Sequence, residues 1–137
     1  MSVDDNFFKV FTVSFLSGND SAPFADINSA VITGTTASLL FGDKNPLGQE
    51  VLIWNNIPVT ITGVIKDLPD NSSISAGLLL NSDNDKFKFY QSTGNSNDLS
   101  TYRWLFQIYF QLRDGTSPDA LAAKINSSAY LLDPYEE

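Results

Sequence analysis

The chain has no cysteine and no histidine. Without cysteine it forms no disulfide and offers neither a thiolate nucleophile nor a Cys-built zinc site. Without histidine it has no Ser-His-Asp triad and no imidazole switch near neutral pH. The missing cysteine does not identify a compartment, because an oxidising compartment permits disulfides without requiring them. Positive charge is also scarce: 8 Lys and Arg stand against 16 Asp and Glu, a net charge of -8. That balance repels phosphate backbones, so no nucleic acid partner is expected, and it disfavours a polybasic membrane anchor. No apolar run approaches the roughly 20 residues that span a bilayer. The N-terminus MSVDDNFF lacks the basic and apolar regions of a signal peptide. We expect either a cytosolic chain or a piece of a larger membrane or exported protein.

What is present is enough for a core. The 137 residues are 42% hydrophobic and include 10 Phe, 5 Tyr and 2 Trp, which suits one domain. DDNFFKVF reads as one or two helical turns capped by Asp4 or Asp5, with Phe7 and Phe11 on one face. Ser17 to Asn28 reads as a polar connector. SAVIT reads as a buried strand running into the helix GTTASLLF, with Thr33 or Thr35 as cap and Ala37, Leu40 and Phe41 on one face. FGDKNPLGQEVLI then supplies a helix stop at Gly42, a Pro46 turn and a strand start permitted by Gly48.

EVLIW and IPVTITGVIKD form a hairpin joined through Asn55 and Asn56. In its second arm Ile57, Val59, Ile61, Gly63 and Ile65 share one face, with Pro58, Thr60, Thr62, Val64 and Lys66 on the other. Gly63 marks a bulge or a close backbone approach. AGLLLNS reads as a strand, and Ser82 to Ser100 as a loosely packed polar loop around FKFY. Tyr102 to Leu112 alternates as a strand with one apolar face. A turn at RDGT then leads to a helix capped by Ser117, with Leu121, Ile125 and Leu132 facing the sheet.

A search for chemistry returns little. There is no Gly-rich phosphate loop. DNDK at Asp83 starts like a calcium loop, but its sixth position is Lys88 and its twelfth is Gly94. The close acid pairs Asp4–Asp5 and Asp83–Asp85 read as solvated surface charge, and Lys44 and Lys66 as surface residues. Trp54 and Trp104 are expected in the core rather than on a ligand platform. Catalytic, cofactor-binding and metal-binding residues are all expected to be absent.

The order of short motifs carries more information. DDNFFKVFTVSFLSGN, SAVITGTTASLLFGDKNPLGQEVLI, VTITGVIKDLPDNSS and QIYFQLRDGTSPDALAAKI follow one another. Together they resemble the extracytoplasmic core domain of MacB-type ABC transporter permeases, a family also grouped with the FtsX-like permeases. The marks are Phe7, Phe8, Gly18, Ala37, Phe41, Gly42, Pro46, Leu47, Gly48, Gly63 and Val64. The elaborated forms LFGDKNPLG and VIKDLPDNSS look most like Bacteroides-type versions. The resemblance covers residues 4 to 66 and the final strand and helix; residues 67 to 101 carry little of it.

The resemblance implies a non-catalytic periplasmic domain between the first two membrane helices of a permease. It passes on conformational change driven by ATP hydrolysis in the cytoplasm. The implied partners are the permease's own transmembrane helices, the cytoplasmic ATPase, a second permease copy, a periplasmic adaptor, an outer-membrane channel and the cargo. The chain reads as a single excised domain over 1–137 that starts late, with "MS" as an added start and the first strand and helix of the family missing. An extracytoplasmic peptide-, lipid- or small-molecule-binding module is the alternative function. The expected fold is α+β: a mixed, mostly antiparallel sheet with two or three packed helices on one side. A β-rich inserted subdomain is expected over about 25–100, with strand and helix 102–132 in a membrane-proximal subdomain.

Overall fold

The computed structural model describes residues 1–87 and 107–130. The chain divides into two compact units, Met1–Phe106 and Gln107–Glu137. Among its described residues the first holds six strands: β1 (Ser2–Val3), β2 (Phe15–Gly18), β3 (Ser29–Thr33), β4 (Glu50–Ile53), β5 (Ile57–Ile65) and β6 (Leu78–Asn81). They form one sheet in the order β1-β6-β3-β5-β2, with β4 also on β5. β2–β5, β3–β6 and β4–β5 are antiparallel, and β1–β6 and β3–β5 are parallel. The sheet is therefore mixed and mostly antiparallel, as expected.

The helices are not confined to one side. α1 (Phe7–Val10) places Phe7 in a cluster with Phe24, Val31, Ile65, Ile74 and Leu79. α2 (Gly34–Phe41) places Ala37 and Phe41 against Ala30, Ile32, Ile57, Val59, Ile61, Val64 and Leu80. Val31 alternates with Ala30 and Ile32 along β3, so the two clusters lie on opposite faces of the sheet. All five residues of β3 are buried, which is the pattern of a strand covered on both faces. A one-sided arrangement would leave Val31 and Leu79, both 0% exposed, facing water.

β5 reaches both clusters because it does not keep its alternation. Ala30 pairs with Ile61 and Val31 with Gly63, which leaves Thr62 as an extra residue. Beyond this bulge the faces exchange: Val64 joins Ile57, Val59 and Ile61, while Ile65 crosses to the Phe7 cluster. Ile65 thus departs from the face expected of it, and Gly63 lies beside the bulge it was expected to mark. The Thr62 hydroxyl donates to Pro23 O at 2.6 Å and Ala30 O at 3.3 Å, tying the chain before β3 to the bulge.

Local chemistry explains the ends. Asp4 caps α1, its carboxylate accepting from the Asn6 and Phe7 N–H groups at 3.0 and 3.1 Å. Thr33 caps α2, accepting from Thr36 N–H at 3.3 Å. Leu40 does not share the packing face of Ala37 and Phe41; it is 53% exposed, and Leu39 is 82% exposed. The hairpin turn centres on Trp54 and Asn55 rather than Asn55 and Asn56. Both have positive φ, 50° and 62°, and Asn56 N–H donates to Ile53 O at 3.2 Å. β1 and β2 were not foreseen. A two-residue strand carries no readable period, and β2 was hidden by the Ser17–Asn28 polar run. That run also contains buried Phe24 and leads into residues held by Asn84, whose amide donates to Ile27 O at 2.9 Å and Asn28 Oδ1 at 3.1 Å.

The Ser82–Ser100 loop is not loose at its start. A 3-10 turn, Asp85–Phe87, buries Phe87, and Asn84 is buried beside it; residues 88–100 lie outside the described residues. The strand expected over 102–112 lies outside the described residues at 102–106, and residues 107–112, in the second unit, form no strand. Ile108, Tyr109 and Phe110 there are exposed. Alternation favours a strand only where a neighbouring strand supplies hydrogen-bond partners. The RDGT turn is as expected: Thr116 N–H donates to Arg113 O at 3.0 Å and Gly115 has φ 79°. α3 (Pro118–Tyr130) is capped by Ser117, which accepts from Ala120 N–H at 3.3 Å. Leu121 is half-buried, Ile125 is 40% exposed, and Leu132 lies outside the described residues.

Two glycines make the bulge possible. Gly18 pairs with Gly63 across β2 and β5. A Cβ on Gly18, where φ is 97°, would overlap the Thr62 carbonyl oxygen and sit 2.7 Å from Gly63 Cα. Gly18→Ala is therefore expected to cost at least about 3 kcal/mol, read as a lower urea midpoint. Gly48→Ala meets only open space at φ 77° and is expected to cost about 1 kcal/mol through backbone strain. Equal costs at the two positions would contradict this account of the bulge.

Candidate functional site

No group of three or more acidic side chains that could hold a metal ion occurs among the described residues. What the elements build instead is a braced connector, a polar cleft and a set of exposed apolar side chains.

The connector joins α2 to β4. Gly42 ends the helix with φ 60° and donates to Ser38 O at 2.9 Å. Lys44 N–H donates to Phe41 O at 3.1 Å, and Asn45 Oδ1 accepts from Leu47 N–H at 3.1 Å. Gln49 N–H donates to Pro46 O at 3.0 Å, closing a turn with Gly48 at its third position, where φ is 77°. Gly48 N–H then donates to Ile61 O at 2.8 Å, and Ile61 N–H to Gln49 O at 2.9 Å. Two connector residues thus oppose one residue of β5, a bulge of the kind that needs glycine at its first position. Phe41 and Leu47, at the two ends, pack on the same apolar cluster. The connector is bolted to β5, which pairs with β2, β3 and β4, at the residue preceding the β5 bulge.

The cleft lies at the N-terminus of α2, lined by Thr33, Thr36, Asp67, Asp70, Ser72 and Gly77 among others, with a volume of about 430 Å³. Asp67 Oδ1 accepts from Thr35 N–H at 3.3 Å. Desolvation raises the Asp67 pKa, but the hydrogen bonds from the Thr35 N–H, the Thr33 and Thr35 hydroxyls and its own N–H together outweigh it and hold the carboxyl below its usual value. The helix N-terminus is already occupied by this carboxylate, so the cleft serves as a cap. Asp67 was not foreseen as a site residue; its signal was an acid in a turn that the fold brings back to the start of α2.

The marked residues fall into two groups. Phe7 and Phe8 meet edge to face at 5.4 Å, Phe8 lies 5.7 Å from Phe15, and Phe15 lies against Gly63, which pairs with Gly18. Ala37, Phe41, Leu47 and Val64 share the opposite face, with Gly42, Pro46 and Gly48 in the connector. β5 touches both groups. Trp54 is not in the core: it sits at the hairpin tip, 60% exposed, its ring centroid 6.0 Å from that of Phe87. Its backbone turn projects it past the end of β4. Trp104 lies outside the described residues.

A mixed sheet covered on both faces by apolar clusters, with a hydrogen-bonded connector between α2 and β4, defines an α+β domain. The family model for the MacB-like periplasmic core domain matches residues 1–128. The chain belongs to that family, whose members are periplasmic domains of MacB/FtsX-like ABC transporter permeases. It is 30% identical over 119 residues to the macrolide export ATP-binding/permease protein MacB of Azoarcus sp. (strain BH72), covering 87% of this chain and 17% of that protein. The chain thus spans about a sixth of the length of this relative. Two crystal structures share the fold. A permease-protein domain from Porphyromonas gingivalis matches with a TM-score of 0.68 and 23% identity, covering 98% of this chain and 59% of that one. The periplasmic region of MacB from Actinobacillus actinomycetemcomitans matches at 0.59 and 15%, covering 94% and 54%. No helix among the described residues is long and apolar enough to cross a membrane.

Because the folded pKa of Asp67 lies below its unfolded value, its stabilisation is complete above about pH 4 and fades as pH falls through the folded pKa. Asp67→Asn is expected to lower the urea midpoint at pH 7, with the difference closing as pH falls through the folded pKa of Asp67. A difference that persists unchanged into acid would contradict the capping role.

Proposed function

We propose that this chain is the non-catalytic periplasmic domain of an ABC transporter permease and that it transmits conformational change from ATP hydrolysis in the cytoplasm. In this reading it needs no cofactor. Its partners are its own permease helices, the cytoplasmic ATPase, a second permease copy and, in an export assembly, an adaptor, an outer-membrane channel and the cargo. The macrolide export named for its relative is one example of such work; the whole assembly sets the cargo. The observation that carries the reading, beyond the family, is the connector. A module that passes on movement must not absorb it internally. Phe41 to Gln49 is tied to β5 by backbone hydrogen bonds and by apolar packing at both ends. The marks Phe7, Phe8, Gly18, Phe41, Gly42, Pro46, Gly48 and Gly63 then serve rigidity. Residues 102–132 would form the membrane-proximal part, and about 25–100 the β-rich part.

Inserting Gly-Ser-Gly-Ser between Lys44 and Asn45 of the parent permease tests this. A loop extension costs little stability, so the domain is expected to remain folded and the basal ATPase unchanged. ATP-driven export is expected to fall by about tenfold, the scale of a lost coupling. Undiminished export would contradict the reading. A binding module would instead reveal itself by a saturable shift in Trp emission on titration with a lipopeptide, with export unaffected by the insertion.

A further inference from the structure

The tip of the β4–β5 hairpin combines backbone strain with exposed apolar side chains. Trp54 and Asn55 both adopt positive φ, 50° and 62°. Asparagine tolerates this conformation; for a bulky aromatic residue it is a costly outlier. Such strain is retained where something other than local stability keeps the residue. Trp54 is 60% exposed, yet its ring meets that of buried Phe87 in a T-shaped contact, with centroids 6.0 Å apart and planes at 63°, so its orientation is set in advance. Leu52 is 58% exposed, and its cross-strand partner Pro58 is exposed on the same face. Exposed Glu50 follows on that face; exposed Asp85 and Lys86, of opposite sign, immediately precede the Phe87 that meets the Trp54 ring.

We propose that Trp54, Leu52 and Pro58 anchor a partner protein whose apolar pocket carries basic residues at its rim. The proposal rests on the reading of this domain as a transporter module that contacts other proteins, and it names the surface and the chemistry. Charge selects the occupant. An anionic bilayer would repel Glu50 and a chain of net charge -8. A second copy would set Glu50 against Glu50 and one acidic domain against another. A basic-rimmed pocket attracts both, and a preoriented tryptophan is the side chain that most often carries such a contact.

The test places benzoylphenylalanine at position 52 of the parent permease (Leu52→benzoylphenylalanine) and illuminates spheroplasts with and without Trp54→Asn. The expected result is an adduct to one other protein, cross-linked at an apolar pocket flanked by Lys or Arg. Its yield should fall about tenfold with Trp54→Asn and should also fall with added salt. In the 137-residue chain, Trp54→Asn should leave the thermal midpoint unchanged or higher, because asparagine relieves the strain. Adducts only to lipid or to a second copy would overturn the proposal. So would a yield indifferent to Trp54→Asn or to salt, or a lowered midpoint, which would make Trp54 a packing residue. Cross-linking does not depend on export. An absent adduct alongside export uncoupled by the connector insertion rejects the docking site alone, and the adduct with export coupled despite the insertion rejects the mechanical reading alone.

Discussion

The extra residue in β5 is the constraint on which the domain depends. One residue out of register sends the apolar side chains of a single strand to both faces of the sheet. Ile57, Val59, Ile61 and Val64 close one core, and Ile65 closes the other. The bulge is held by the Thr62 hydroxyl on the Pro23 and Ala30 carbonyls and by the close passage of Gly18 over Gly63. Without it, Ile65 would leave the cluster of Phe7, Val31 and Leu79, and the aromatic layer of Phe8, Phe15 and Phe24 would lose its floor. A strand slip of this kind moves every later side chain to the wrong face, so register and core packing enforce each other.

The proposed function draws on where that strand is braced. The connector from α2 docks on Ile61, the residue before the bulge, so the helix, the hairpin and both cores share one strand. Under the proposed function, movement applied to α2 or to the hairpin would be carried by β5. The same arrangement leaves the outer side of α2 and the hairpin tip to expose Leu39, Leu40, Leu52 and Trp54. A domain of net charge -8 thus presents large apolar side chains at a hairpin tip, the surface on which the proposed docking rests.

Much of this was legible in the residues, and the reasons for the failures are physical. SAVIT, the Thr33 cap, the Gly42 stop, the Pro46–Gly48 turn and the Ser117 cap rest on local chemistry and are read locally. Gly63 was recognisable because an isolated glycine inside a strand pattern has few other uses. The two-sided placement of the helices was not legible, because it depends on a one-residue register shift set by a partner strand. Trp54 was expected to be buried because tryptophan usually is; its exposure depends on a turn conformation that its own side chain disfavours. Asp67 and Asn84 sit in polar runs that look like loops, and only the fold returns them to a helix end and to a buried backbone. The strand expected at 107–112 followed from alternation alone, and alternation cannot supply a partner.

Native-state amide hydrogen exchange at Gly48 and Ile61 tests most directly the claim that connector and sheet are one body. Their N–H groups bond to Ile61 O and Gln49 O at 2.8 and 2.9 Å. The account predicts that both exchange only through the opening that also releases Val31 and Ile32 in β3, with the same free energy and the same denaturant dependence. Exchange at Gly48 through a low-energy local opening, while β3 stays protected, would contradict it.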